Sequence, residues 1–160
     1  MKLTGGNDMN QIKITQATIH DLEDVAQLFD QYRIFYEQKS DLEGAKQFLY
    51  ERFEHQESVI FLAREQEEGA PAGFTQLYPI FSSVSMERVW LLNDLYVNEK
   101  FRGRGIAQGL LESAKSFAQK TNAKGIELAT AKDNYSAQRI YEALGYEKDD
   151  FFHYFLSISS

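Results

Sequence analysis

The chain has 160 residues, 43% of them hydrophobic and 14% aromatic, which points to one folded domain and argues against a disordered chain. It has no cysteine, and His20, His55 and His153 stand far apart, which argues against disulfide, thiolate and zinc chemistry. Seventeen basic against 24 acidic residues give a net charge of -7, which disfavours nucleic acid as a direct partner and leans toward a cationic substrate, although acidity also serves plain solubility.

No apolar run reaches membrane-spanning length, and residues 1–10 lack a signal-peptide core. The expectation is a cytoplasmic protein with a flexible polar leader over 1–10 and a single domain over 11–160. The segment 11–17 alternates, with Ile12 and Ile14 on one face, and reads as a first strand. Thr18-Ile19-His20-Asp21 has capping-box form. The helix after it places Leu22, Val25, Ala26, Leu28, Phe29 and Tyr32 on one stripe and is expected to run to about Gln38. Ser40-Asp41-Leu42-Glu43 is a second capping box, opening a helix with Leu42, Ala45, Phe48, Leu49 and Phe53 inward. Two consecutive helices with a short polar link predict a flap over a sheet.

Strands are predicted over 58–64, 72–80 and 88–97, with Gly73 marking a close approach or a bulge and 88–97 as the central strand. From Ile106 the apolar positions switch to helical spacing through Leu110, Leu111, Ala114, Phe117 and Ala118. A strand over 125–131, parallel to 88–97, a helix over 134–144 stopped by Gly145, and a last strand over 151–158 complete the chain.

Between the strand 88–97 and its helix lies Arg102-Gly103-Arg104-Gly105-Ile106-Ala107. A helix start leaves backbone N–H groups without partners and carries partial positive charge, and small residues let a bulky anion approach. The loop is therefore a cradle for a phosphate or pyrophosphate. It contains neither G-x-x-x-x-G-K-[ST] nor G-x-G-x-x-G. Arg102-x-x-Gly105-x-Ala107 resembles the R/Q-x-x-G-x-G/A loop of the GNAT N-acetyltransferase superfamily. Asn134-Tyr135-Ser136-Ala137-Gln138-Arg139-Ile140-Tyr141-Glu142-Ala143-Leu144-Gly145-Tyr146 resembles the other diagnostic segment of that superfamily, N-x-x-A-x-x-x-Y-x-x-x-G-Y/F. Taken alone, the second segment also reads as a capped amphipathic helix with a packed tyrosine. The resemblance covers residues 11–158, with its specific part at 91–146.

The resemblance implies an α/β (α+β) fold: one domain, a mixed and mostly antiparallel sheet, and helices on both faces. It implies acetyl-CoA as cofactor. The backbone of Tyr96 and Val97 would align the pantetheine arm. Backbone N–H groups of Arg102, Gly103, Arg104, Gly105, Ile106, Ala107 and Gln108 would bind the pyrophosphate. Asn134 would contact the coenzyme arm, and Tyr141 would stand near the sulfur as general acid. A homodimer is also implied, with Phe151, Phe152 and Tyr154 as interface candidates.

An alkylamine attacks a thioester only when neutral, yet its pKa lies near ~10.4. The site must therefore take a proton from a bound ammonium. Asp94 is the candidate for amine recognition or the base, because a carboxylate inside an apolar strand is costly unless paired or functional. A structural salt bridge or a bond to a helix end is the plain alternative. Period two puts Asp94 on one face with Trp90, Leu92 and Tyr96. The phrase N-D-L-Y-V resembles segments of the polyamine (diamine) acetyltransferases and of a yeast histone/polyamine acetylase group. The diamine enzymes commonly carry a second acid where this chain has Asn93. Tyr32, Tyr36, Glu37 and Asp41 are acceptor-side candidates, and Tyr78, Trp90 and Tyr154 could form an aromatic wall for an ammonium. Plain packing is the alternative for each. The expected function is direct acetyl transfer to a primary amine of a small molecule, polyamine-like or amino-acid-like. The alternatives are a protein lysine or N-terminal acetyltransferase and a non-catalytic acyl-CoA sensor.

Overall fold

The computed structural model describes residues 11–66 and 69–159; the leader expected over 1–10 lies outside the described residues. The elements run β1 (Ile12–Gln16), α1 (Leu22–Phe35), α2 (Leu42–Glu54), β2 (Val59–Glu65), β3 (Pro71–Ser82), β4 (Glu87–Val97), α3 (Ile106–Lys120), β5 (Gly125–Glu127) and α4 (Tyr135–Ala143). Short 3-10 turns at Ile19–Asp21 and Glu99–Phe101 precede α1 and α3. The strand order is β1-β2-β3-β4-β5. The first four strands pair antiparallel, and β4 pairs β5 parallel. The sheet is therefore mixed and mostly antiparallel, as expected, but β3 rather than β4 is its middle strand. The sheet and α1 to α3 form one compact unit ending at Leu128, and Ala129–Ser160 forms a second.

Strand periodicity assigns the layers of the first unit. Ile60, Leu62 and Phe74 point to one face, where α1 and α2 contribute Val25, Ala26, Leu28, Ala45 and Leu49 to a common buried cluster. Phe61 points to the other face and meets Phe117 of α3 at 5.7 Å between ring centroids. There α3 buries Ile106, Leu110, Leu111, Ala114 and Ala118. Helices thus cover both faces, and each large buried side chain contributes about 1.5–3 kcal/mol of apolar burial.

Local chemistry sets the helix ends. The Thr18 capping box forms as read: Thr18 Oγ1 accepts from His20 N at 3.2 Å, and Asp21 Oδ2 accepts from Thr18 N at 2.9 Å. Helix α1 stops at Phe35 rather than near Gln38, because Glu37 takes a left-handed φ of 64° and Gln38 N closes on Arg33 O at 2.9 Å. The cap of α2 is Asp41, whose Oδ1 accepts from Gly44 N at 2.9 Å. Ser40 instead donates to Asp30 Oδ2 at 2.7 Å, and Asp41 N donates to Asp30 Oδ1 at 2.7 Å. The buried Asp30 carboxylate so holds the link between the two helices.

Two expectations fail toward the C-terminus. Strand β5 is limited to Gly125–Glu127 instead of reaching 131. Residues 151–158 form no strand, and Phe151, Phe152, Tyr154, Phe155, Leu156 and Ile158 are exposed. Aromatic and β-branched composition favours a strand only where a ladder partner and a packing surface exist.

Candidate active site

The site grows from a slip in the β3–β4 register. Gln76 pairs with Asp94, but the next residue, Leu77, pairs with Leu92, so Asn93 is an extra residue in β4. Such a bulge reverses the side-chain alternation across it. Trp90 and Leu92 therefore face α3, whereas Asp94 and Tyr96 face α1 and α2. Trp90 is buried, its ring centroid lies 5.2 Å from that of Phe117, and its Nε1 donates to Thr121 Oγ1 at 3.0 Å. The expectation that Trp90 shares a face with Asp94 and helps line an acceptor wall is corrected: period two holds only along an unbulged strand.

Asp94 is 6% exposed. Its Oδ2 accepts from Gln76 Nε2 at 2.8 Å, and Asn93 Nδ2 lies 3.2 Å from both of its carboxylate oxygens. Thr75 Oγ1 donates to the Asp94 backbone carbonyl at 2.8 Å. Among the described residues no cation pairs with this carboxylate. Its donors are neutral amides.

Aromatic side chains flank Asp94 along the sheet. Phe74 pairs with Tyr96 on one side of the Gln76–Asp94 step, and Tyr78 follows on the other. Tyr32 of α1 closes over the first pair, 5.8 Å from Phe74 and 6.0 Å from Tyr96 between centroids. Tyr36 meets Tyr32 at 5.2 Å and is exposed. Glu37 sits in the turn after α1, and Asp41 is committed to its cap. Burial pushes the Tyr78 phenol up to about 12; the Asp94 and Glu57 charges add to this, and Arg52 opposes it. Tyr78 therefore keeps its proton at neutral pH. Burial also raises the Tyr96 phenol, against the nearby Arg102 charge and with that of Glu99.

The loop after β4 is open and glycine-shaped. Gly103 and Gly105 have φ of 82° and 76°, and a Cβ built on either meets nothing within 4 Å. Gly105 is the N-cap of α3, offers no side-chain cap, and is followed by no acid in the first turn. The N–H groups of Ile106, Ala107 and Gln108 therefore lack a side-chain acceptor at the cap, which suits an approaching dianion. Arg102 Nε donates to Val97 O at 2.9 Å, and Arg104 Nη1 lies 3.3 Å from Glu65 Oε2. Strand β5 pairs β4 only at Val89, Trp90 and Leu91, so the stretch from Leu92 to Val97 has no β5 partner along that edge. At Gly73 the backbones of β3 and β4 approach so closely that a Cβ would stand 2.7 Å from Tyr96 O.

In the second unit Asn134 caps α4, its Oδ1 accepting from Ala137 N at 3.2 Å. Gly145 follows the helix with φ 99°, as the glycine stop predicts. Tyr141 lies on α4 with its ring 5.8 Å from that of Tyr146. Tyr154 is exposed.

Gln76 is a site residue that no sequence motif marks. Its signal is the one that singled out Asp94: a polar side chain inside an apolar run, Ala72-Gly73-Phe74-Thr75-Gln76-Leu77, needs a partner.

Residues 22–146 match the model described as the Acetyltransferase (GNAT) family. The chain is similar to the uncharacterized N-acetyltransferase YhfO of Bacillus subtilis (strain 168), at 48% identity over 148 residues, 92% of this chain and 98% of that one. It is similar to the D-amino-acid N-acetyltransferase HPA3 of Saccharomyces cerevisiae at 32% identity over 88 residues, 55% of each chain. A solved structure of a probable acetyltransferase superposes with a TM-score of 0.87 at 45% identity, covering 92% of this chain and 99% of that one. The chain belongs to the acetyltransferase (GNAT) family and is an N-acetyltransferase.

Proposed function

We propose that this N-acetyltransferase moves an acetyl group from acetyl-CoA directly to the primary amine of a small molecule, polyamine-like or amino-acid-like. The observation that carries the reading is Asp94: a buried carboxylate with neutral amide donors, no paired cation among the described residues, and aromatic neighbours on either side. A buried carboxylate without a counter-charge is costly, and a bound ammonium supplies that charge and also meets the ring faces. The name of the yeast relative supports an amino-acid-like acceptor.

Acetyl-CoA supplies an acetyl group activated as a thioester. Backbone N–H groups of Arg102 to Gln108 would hold its pyrophosphate, and the backbone of Tyr96 and Val97, beyond the last β5 pair, would align the arm. Asn134 keeps its side-chain N–H groups for the arm while Oδ1 caps α4. Asp94 binds the ammonium and takes its proton, directly or through water. As the amine nitrogen bonds to the acetyl carbon and the C–S bond breaks, Tyr141 would give its proton to the leaving sulfur and recover one from the acetylated nitrogen, directly or through water. Tyr78, protonated at neutral pH, lines the acceptor site with Tyr36 and does not serve as base. The enzyme acts in the cytoplasm as a homodimer in this reading, with the exposed Phe151, Phe152 and Tyr154 available for contact between copies.

The test is release of free thiol from acetyl-CoA over a panel of polyamines, amino acids, aminoglycosides and lysine peptides, beside a calorimetric titration of acetyl-CoA. Turnover with a small amine is the expected result. Turnover with the lysine peptides alone would overturn the small-molecule acceptor, and absence of acetyl-CoA binding would overturn the loop assignment.

A further inference from the structure

We infer that Gln76 is the positioning residue of the acceptor site: its side-chain amide holds one oxygen of Asp94 so that the other is aimed at the incoming amine. The inference rests on the reading that Asp94 receives the acceptor ammonium.

Gln76 is 0% exposed, so its side chain has no solvent alternative. An ionised carboxylate only accepts hydrogen bonds, so the 2.8 Å contact with Asp94 Oδ2 must be made by Nε2. That choice turns Oε1 the other way, where it is buried without a hydrogen-bond partner. An amide rotated to satisfy its carbonyl would abandon the carboxylate. A buried, unsatisfied acceptor normally costs enough to be selected against. Here it accompanies a charge-assisted bond, and strand register brings the two residues together: the bulge at Asn93 sets Gln76 directly opposite Asp94. Asn93 Nδ2 contacts both carboxylate oxygens at the longer distance of 3.2 Å and is exposed, so it restrains the group less. Oδ2 thus has two amide donors, and Oδ1 has only the longer one. Oδ1 is the oxygen left for the amine. Tyr78 on this face feels the charges of Asp94, Arg52 and Glu57, Tyr96 and Tyr32 flank the other side of the Gln76–Asp94 step, and Tyr78, Arg52, Glu57, Tyr96 and Tyr32 are unchanged in the variants below.

The experiment is a double-mutant cycle on kcat/KM with the amine selected by the panel. It uses the full chain and compares wild type, Gln76→Leu, Asp94→Asn and the double variant. Acetyl-CoA calorimetry on each serves as the folding control. Gln76→Leu is expected to lower kcat/KM about ten- to hundredfold, the scale of a hydrogen bond to a charged group. In the Asp94→Asn background the same change is expected to cost about twofold or less, because Gln76 acts through the carboxylate. A Gln76→Leu enzyme as fast as wild type beside a slow Asp94→Asn enzyme overturns the role of Gln76 alone. Losses that simply multiply in the double variant do the same. An Asp94→Asn enzyme as fast as wild type overturns the assignment of Asp94 and, with it, this inference. Gln76→Glu provides a second readout if the leucine variant fails to bind acetyl-CoA. Two carboxylates sharing a site titrate as a pair, so the acid limb of kcat/KM against pH should move up by about one unit or more. A limb that superposes on wild type overturns the proposal.

Discussion

Trp90 and Asp94, both on β4, face opposite sides of the sheet, because Asn93 bulges between them and the pairing steps from Leu77–Leu92 to Gln76–Asp94. One strand therefore serves a core on one side and a candidate active site on the other. Trp90→Phe removes the 3.0 Å bond to Thr121 and thins the contact with Phe117. Stability should fall by about 1–3 kcal/mol in urea denaturation. kcat/KM should stay within about twofold of wild type. A large loss of activity in a folded Trp90→Phe enzyme would return Trp90 to the acceptor site.

Asp94→Asn keeps the shape of the side chain and removes the charge. kcat/KM for the acceptor should fall by about 10²- to 10⁴-fold, the range of a positioned acid or base. Acetyl-CoA affinity should be unchanged, which calorimetry checks. A parallel loss of cofactor affinity would point to a structural role for the carboxylate.

Gly105→Ala probes the cradle. Its φ of 76° is left-handed, and an alanine there costs about 1–2 kcal/mol. The new methyl also stands at the helix start, on ground that is open at present. The expected outcome is at least about tenfold weaker acetyl-CoA binding with a modest drop in melting temperature. Unchanged affinity would move the pyrophosphate elsewhere.

Tyr141→Phe removes a phenol and leaves the ring. Turnover should slow about ten- to hundredfold while acetyl-CoA binding is preserved. Unchanged turnover would remove Tyr141 as the acid that serves the leaving sulfur.

The Tyr78 phenol carries a pH prediction. Its folded value, pushed up to about 12, lies above the ordinary ~10 of an unfolded tyrosine. Between those values the unfolded chain has released a proton that the folded chain retains. Stability from this group is therefore fully present below about pH 10 and is lost as pH rises toward 12. Tyr78→Phe should flatten that part of the stability–pH curve. A step near pH 12 in the tyrosinate absorbance titration should also disappear.

What depends on neighbours along the chain is legible in the sequence. The Thr18 box, the stripe of α1 and the glycine stop at Gly145 all follow from residues within a turn or two of one another. The cap of α2 lies one residue beyond the expected Ser40, because Ser40 and Asp41 are both good caps and Asp30, remote in sequence, claims the serine. The strand expected over 151–158 does not form, because apolar alternation records the capacity to pair, while pairing needs a second strand.

The sequence by itself determined the family signature, the glycine-bearing loop ahead of a helix and the presence of a carboxylate inside a strand. These are local: backbone freedom at glycine, helix spacing and the cost of a charge among apolar residues act within a few positions. Tertiary structure alone decided which way that carboxylate looks and what holds it. The bulge at Asn93 exists only relative to β3, and Gln76 reaches Asp94 only because two strands are laid side by side. A one-residue slip between strands exchanges the faces of every side chain beyond it, and no window of sequence along one strand contains that information.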